Sequence, residues 1–209
     1  MAETRWVVGN RLISKKDPTI EIEVSDNFQY VGSFEFEIQA LTDEYSKEVK
    51  GKTIAAGDRF VFVDSDEKRA VKKMFIVQLE GFLDNNEFIY NYDLDNAPYI
   101  GDNKYRNNTW FYNSKKAALK NPNDEGALTR KFLIEKGYRI ADEFMMSRFV
   151  GLASADRKKE IIIFYIEMLQ DNTKLNLEEF QNNISEDEAA RIEQSLIERS
   201  KKSFKIVSG

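Results

Sequence analysis

One run of the sequence restricts the fold more than any other. Residues 161–166 read Ile-Ile-Ile-Phe-Tyr-Ile, so every position is β-branched or aromatic. Such side chains favour strands, and a run that is apolar at both parities is typical of a strand covered on both faces. We therefore expect residues 159–168 to form a strand at the centre of a sheet.

Alternating segments predict the strands around this centre. Residues 28–38 place aromatic and aliphatic side chains on one parity and polar side chains on the other, with an interruption at Gly32 that indicates a bulge. Residues 20–24 alternate in the same way, and Ser25-Asp26-Asn27 between the two segments predicts a hairpin. Further strands are predicted at 6–13, 59–63, 71–83, 87–92, 109–112 and 139–153.

Two principal helices are predicted. Ser185-Glu186-Asp187-Glu188 has the spacing of a capping box, and lysines follow at the far end of a helix over 186–203. Asn123 or Asp124 begins a second helix over 124–136, and residues 114–120 form a further turn or two. Residues 140–150, within the last strand above, also fit helical spacing, so both structures stay open there.

These elements predict a single α+β domain over residues 1–209. Its core is a curved, mainly antiparallel sheet of about eight strands, with both principal helices packed on one face. A curved sheet with helices across its concave side encloses an apolar pocket, which the abundant Phe and Tyr side chains would line.

The composition excludes several classes of function. The chain has no Cys and no His, which rules out disulfides, thiolate nucleophiles, Cys/His zinc sites and histidine-based triads. A net charge of −5 gives no basic field for nucleic acid. No apolar run reaches the roughly 20 residues that span a bilayer. The lack of Cys and the small, polar residues at Met1-Ala2-Glu3 favour an exported, periplasmic chain, without its signal peptide, over a cytoplasmic one.

An acidic loop supplies the candidate metal ligands. Asp93, Asp95 and Asp102 are hard oxygen ligands of the type that Ca²⁺ prefers. An EF-hand is excluded, because Pro98 occupies the position of its Gly and Lys104 that of its bidentate Glu. Ca²⁺ is thus the one cofactor to consider, and the alternative is a loop whose carboxylates are solvated.

The candidate ligand-binding residues follow directly: Tyr99, Tyr105, Arg106, Trp110 and Tyr112. Tyr and Trp bury a large area with few rotamers to fix, which suits contact with a ligand or a partner protein. The alternative is a loop that its own aromatic side chains hold against the core.

Three hypotheses of function result. The first is a non-enzymatic binding or accessory module of the bacterial cell envelope that holds a small apolar ligand or a protein partner. It is motivated by the aromatic-rich sheet and by the lack of a catalytic constellation. The second is a carboxylate- and metal-dependent hydrolase centred on the 93–102 loop, and the third is a structural or assembly subunit.

Overall fold

The computed structural model describes residues 4–207, which form an α+β fold of antiparallel sheets with five helices. The strands are β1 (Arg5–Val8), β2 (Arg11–Lys15), β3 (Thr19–Val24), β4 (Gln29–Gln39), β5 (Thr53–Ser65), β6 (Val71–Phe82), β7 (Tyr99–Ile100), β8 (Asn103–Lys104), β9 (Arg106–Asn113), β10 (Glu143–Leu152), β11 (Lys159–Met168) and β12 (Phe204–Val207). The helices are α1 (Ser114–Lys120), α2 (Glu125–Glu135), α3 (Leu169–Thr173), α4 (Leu177–Asn182) and α5 (Glu186–Lys202).

The predicted single sheet of about eight strands is wrong, because the strands divide between a main sheet and a small sheet. The main sheet has six strands in the order β4-β5-β6-β11-β10-β9, and the small sheet has four in the order β1-β2-β3-β12. β7 and β8 form a separate two-stranded ribbon. The central position of β11 is confirmed, since β6 and β10 pair with it on either side.

The main sheet is buried on both faces, as the run at 161–166 predicts. On one face of this sheet, apolar residues such as Phe60, Val77 and Ile163 join a cluster with the small sheet and with Leu196 of α5. On the other face, residues such as Val61, Ile76 and Ile162 join a second cluster with Leu133 of α2. The two principal helices therefore lie on opposite faces, and the expectation of both on one face is wrong. Both faces of β11 are apolar and each needs a covering layer, so one principal helix packs on each face.

Two strand pairings differ from the predictions for the same physical reason. Residues 20–24 and 28–38 do not form a hairpin: β3 already pairs with β2 and β12, while β4 pairs with β5. Residues 87–92 are not a strand, because both edges of β6 are taken by β5 and β11. A strand has only two hydrogen-bonding edges, so distant partners exclude a local one.

Most local predictions are confirmed. Residues 143–152 are a strand and not a helix, while the predicted strand at 6–13 is split into β1 and β2 by a turn at Gly9-Asn10. Gly32 has a φ of 136° at a register shift between β4 and β5, a conformation that favours glycine. Ser185 accepts a hydrogen bond from the Glu188 amide at 3.2 Å.

Asp124 accepts a hydrogen bond from the Ala127 amide at 2.7 Å, so α2 and α5 both begin at the predicted caps.

Within residues 4–207, no helix combines the length and the apolar character needed to cross a membrane. Residues 1–3, on which part of the export prediction rests, lie outside the described residues.

A buried ion pair fixes α5 to the main sheet. Glu167 of β11 is fully buried, and Arg199 of α5 donates to its two oxygens at 2.8 and 2.7 Å. The Tyr165 hydroxyl donates to the same carboxylate. The hydrogen bond with Glu167 raises the pKa of Arg199 above its ordinary value. Arg199 is therefore the one cation within residues 4–207 that forms a salt bridge with this carboxylate.

Replacing Arg199 tests the role of this ion pair. We expect Arg199→Met to lower the free energy of unfolding by about 3 kcal/mol, because it leaves Glu167 buried without a counter-charge. Urea unfolding at neutral pH measures the change. Arg191→Met, at an exposed position of the same helix, is the matched control and should have a small effect. Equal stability of the two variants would contradict the role given to this pair.

Candidate functional site

A cavity of about 390 Å³ lies between α1 and α2 on one side and the main sheet on the other. We call it the helix-sheet cavity. Small residues of the two helices form its roof: Ala117, Ala118, Gly126 and Ala127. Apolar side chains of β6, β10 and β11 form its floor: Met74, Ile76, Phe144, Met146, Ile162, Phe164 and Ile166. The cavity is therefore apolar over most of its length.

One end of the floor is polar: Arg59, Gln78, Glu80, Arg148 and Glu160. The strand registers place these residues on the same face of the main sheet as the apolar floor, so they face the cavity and not solvent. The strand registers set Arg59 beside Gln78, and Glu80 beside Glu160. Four neighbouring strands thus bring polar groups together at one end of the cavity.

Glu80 and Glu160 form a buried carboxyl pair. Both side chains are buried, at 8% and 4% exposure, and the two residues lie directly opposite each other on β6 and β11. Gly57 faces Glu80 across the strand pair, and a Cβ there would lie 2.8 Å from that of Glu80, so the missing side chain leaves room for the pair. Burial, reinforced by the charge of Glu80, raises the pKa of Glu160 to about 8. At neutral pH Glu160 therefore holds its proton.

Two tyrosines complete the hydrogen bonds of this pair. The Tyr90 hydroxyl donates to Glu80 at 3.0 Å, and the Tyr92 hydroxyl donates to Glu160 at 2.8 Å. Burial raises the pKa of both tyrosines well above the usual range, so both remain donors. Arg157, in the turn between β10 and β11, holds their segment by donating to the carbonyls of Tyr90 and Tyr92, each at 2.9 Å. Side-chain anchoring thus replaces the strand pairing that was predicted for 87–92.

Arg59 is the most buried cation at this end of the cavity, with 5% exposure. Its Nε donates to Gln78 at 2.6 Å, and its Nη1 donates to the Thr129 hydroxyl at 2.6 Å and to the Glu125 carbonyl at 2.7 Å. Its guanidinium carbon lies 4.8 Å from the centre of the Phe164 ring. Burial lowers the pKa of Arg59 to about 10, so the group stays cationic at neutral pH.

Two further arginines line the cavity. Arg148 lies opposite Phe164 on β10, and its guanidinium carbon is 5.9 Å from the centre of the Trp110 ring. Arg130 of α2 is neutralised by Asp142, at 2.7 Å. Arg148 has no such partner among residues 4–207. The polar end therefore combines Arg59 and Arg148 with the Glu80 and Glu160 pair, and Asp124 and Glu125 at the start of α2 also line the cavity.

The predicted ligand-binding residues are dispersed. Tyr112 lines the helix-sheet cavity, where burial raises its pKa to about 12, and Trp110 lies beside it through its contact with Arg148. Tyr105 is a core residue whose hydroxyl is buried without a hydrogen-bond partner in the described part of the chain. Tyr99 and Arg106 are exposed. The structure does not gather these five residues into one site.

The predicted metal ligands do not gather either. Asp93, Asp95 and Asp102 are exposed, and Asp93 accepts a hydrogen bond from the Asp95 amide at 2.7 Å. Asp93 and Arg106 share a second, more open depression with Pro98. Across residues 4–207, no three carboxylates are placed to hold a metal ion. Binding of Ca²⁺ by this loop stays a prediction.

The cavity residues that sequence reasoning missed carry one signal in the sequence. Gln78 and Glu80 continue the parity of Met74 and Ile76, and Glu160 continues that of Ile162. A charged residue in phase with a buried apolar row is costly unless it is hydrogen-bonded, so its presence indicates a buried polar site. The signal marks each residue singly, and only the strand order shows that they meet.

The arrangement combines an enclosed apolar volume with a buried cation and a carboxyl pair that holds a proton. It is suited to holding a small molecule with an apolar body and a polar end. A carboxyl group that stays protonated near neutral pH is also suited to donating a hydrogen bond or a proton.

Comparison of the chain with protein-family models finds no match, and searches of curated proteins and of solved structures find no similar protein. The function must therefore be inferred from the chemistry of the cavity. Fold-level analogy adds nothing to that inference.

The carboxyl pair predicts a pH-dependent stability. The pKa of Glu160 is raised from 4.5 to about 8. The contribution of protonated Glu160 to the free energy of unfolding is therefore complete below pH 4.5 and is lost as the pH rises through about 8. Glu160→Gln mimics the protonated form. Between about pH 5 and about pH 9, we expect its free energy of unfolding to fall by roughly 2 kcal/mol less than that of the unmodified protein. Urea unfolding at both pH values measures the difference.

The matched control is Glu35→Gln, which removes an exposed carboxylate from β4. It should keep the pH dependence of the unmodified protein. Identical pH dependence in Glu160→Gln and the unmodified protein would show that Glu160 does not hold this proton.

Proposed function

We propose that this chain is a non-enzymatic binding module that holds a small molecule with an apolar body in the helix-sheet cavity. The observation that carries the proposal is the cavity of about 390 Å³ enclosed between α1, α2 and the main sheet. Its volume lies in the range of known ligand sites, and its lining of apolar side chains with a few converging polar groups is typical of them.

Packing supports this proposal over a filled core. Protein interiors are close-packed, and voids larger than a water molecule are few. Here the floor carries large side chains such as Phe144 and Phe164, yet the facing positions of the helices are Ala117, Ala118 and Ala127. Larger apolar residues at these three positions would fill the space. The small residues therefore maintain an opening beside an otherwise well-packed face.

The enclosure also favours a small molecule over a protein partner. The apolar surface lies beneath two helices, where a folded protein has no access, and it is not a flat exposed patch of the kind that protein interfaces use. The 93–102 hydrolase, the assembly subunit and the periplasmic location stay predictions, since no observation on the described residues favours one of them.

Filling the cavity tests the proposal. We expect the unmodified protein to bind the neutral apolar dye Nile red saturably at one site, and we expect Ala117→Trp to weaken that binding roughly tenfold or more, because the indole takes the place of the ligand. Fluorescence titration gives both dissociation constants, and circular dichroism checks that the variant is folded.

Leu119→Trp is the matched control, since it adds the same side chain to α1 at an exposed position that does not line the cavity. It should bind the dye as the unmodified protein does. The proposal fails if the unmodified protein shows no saturable binding, or if Ala117→Trp and Leu119→Trp bind equally well.

A further inference from the structure

We infer that the ligand of the helix-sheet cavity is an amphipathic monocarboxylic acid whose carboxylate is bound by Arg59. This inference rests on the proposed function and adds the chemical class of the ligand. Arg59 is the cation that the cavity buries almost completely.

The protein leaves part of the Arg59 guanidinium unpaired. The three partners of Arg59 are neutral oxygens, those of Gln78, Thr129 and the Glu125 carbonyl, and they engage Nε and Nη1 alone. Nη2 donates to no protein acceptor in residues 4–207. Because Arg59 lines the cavity, its unused N–H groups are available to a ligand there.

No carboxylate neutralises Arg59 either. Within the described residues it forms no salt bridge. Of the nearby acids, Asp124 caps α2, and Glu80 accepts hydrogen bonds from Gln78 and Tyr90. The charge of Glu125 acts on Arg59, but its carboxylate forms no salt bridge with it within the described residues. A buried charge is costly without a partner of opposite sign, so an anionic ligand would supply what the protein lacks.

The surroundings of Arg59 add to this preference. Arg148, the second cation of the cavity without a salt bridge in the described residues, lies opposite Phe164 in the strand register, with its guanidinium over the Trp110 ring. The first turn of α2, at residues 124–127, also lines the cavity beside Arg59, and the positive end of its helix dipole is offset by its own Asp124 and Glu125. A carboxylate accepts charge-assisted hydrogen bonds from guanidinium groups more strongly than a neutral oxygen does.

The layout of the floor indicates the rest of the ligand. Arg59 and Gln78 lie at one end of the strand rows, and Ile76, Phe164 and Ile166 continue from there along β6 and β11. A ligand with its carboxylate at Arg59 therefore lays its body along apolar side chains. A medium-length alkyl or aryl-alkyl acid has this distribution of charge and apolar surface.

Three probes that share one alkyl chain test the charge preference without any mutation. Isothermal titration calorimetry compares decanoate, decanol and decyltrimethylammonium, which are anionic, neutral and cationic. We expect decanoate to bind roughly tenfold or more tightly than decanol, as one charge-assisted hydrogen bond provides, and we expect the cation to bind most weakly.

The outcomes separate this inference from the proposed function. Equal binding of decanoate and decanol would keep the binding module and overturn the carboxylate. Tightest binding of decyltrimethylammonium would overturn it too, because the Glu80 and Glu160 pair would then select the charge. If none of the three probes binds, the proposed function itself fails.

Variants assign the preference to its residue. Arg59→Met should remove the preference for decanoate over decanol while decanol still binds, and Arg11→Met, in the small sheet away from the cavity, should leave the preference intact. A preference that survives Arg59→Met would overturn the assignment to Arg59. If Arg59→Met does not fold, Arg59→Lys keeps the charge on a different geometry and should retain the preference for the anion with lower affinity.

Discussion

Coverage of the main sheet on both faces is the constraint from which the rest of the structure follows. A central strand that is apolar at both parities leaves no face for water, so one layer must come from the small sheet with α5 and the other from α1 and α2. Every polar side chain on these faces then needs a partner inside the protein. The Glu167 and Arg199 pair meets this requirement on one face, and the network around Arg59, Glu80 and Glu160 meets it on the other.

The two networks differ in a way that bears on function. Glu167 is bound by its own arginine on two oxygens, so the network on the α5 face is complete within the chain. On the opposite face, Arg59 has neutral partners and the two acids are paired with each other, so its charges are not matched one to one. The incomplete network is the one that borders an open cavity. This coincidence is why the cavity is the candidate site.

The sequence predicted what short-range periodicity controls. The central position of β11, the bulge at Gly32 and the caps of α2 and α5 all follow from residues that are neighbours in the chain. Pairing partners are set by distant segments, and so the hairpin of 20–24 with 28–38 and the strand at 87–92 were wrong. The same limit applies to the site, because Arg59, Glu80 and Glu160 lie on three strands. Of the residues predicted to bind a ligand, Tyr112 alone lines the cavity, since its strand β9 borders that face.

The pairing of β3 with β12 makes assembly of the small sheet a late event. Ser25 and Lys202, whose hydrogen bond lies beside this pairing, are 177 residues apart in the chain. During synthesis on the ribosome, β1 to β3 emerge early, yet one edge of β3 and the apolar inner side of these strands stay uncovered until β12 and α5 follow. The nascent chain thus presents an open strand edge while the 177 residues from Ser25 to Lys202 are made, and during that time the edge depends on protection from aggregation.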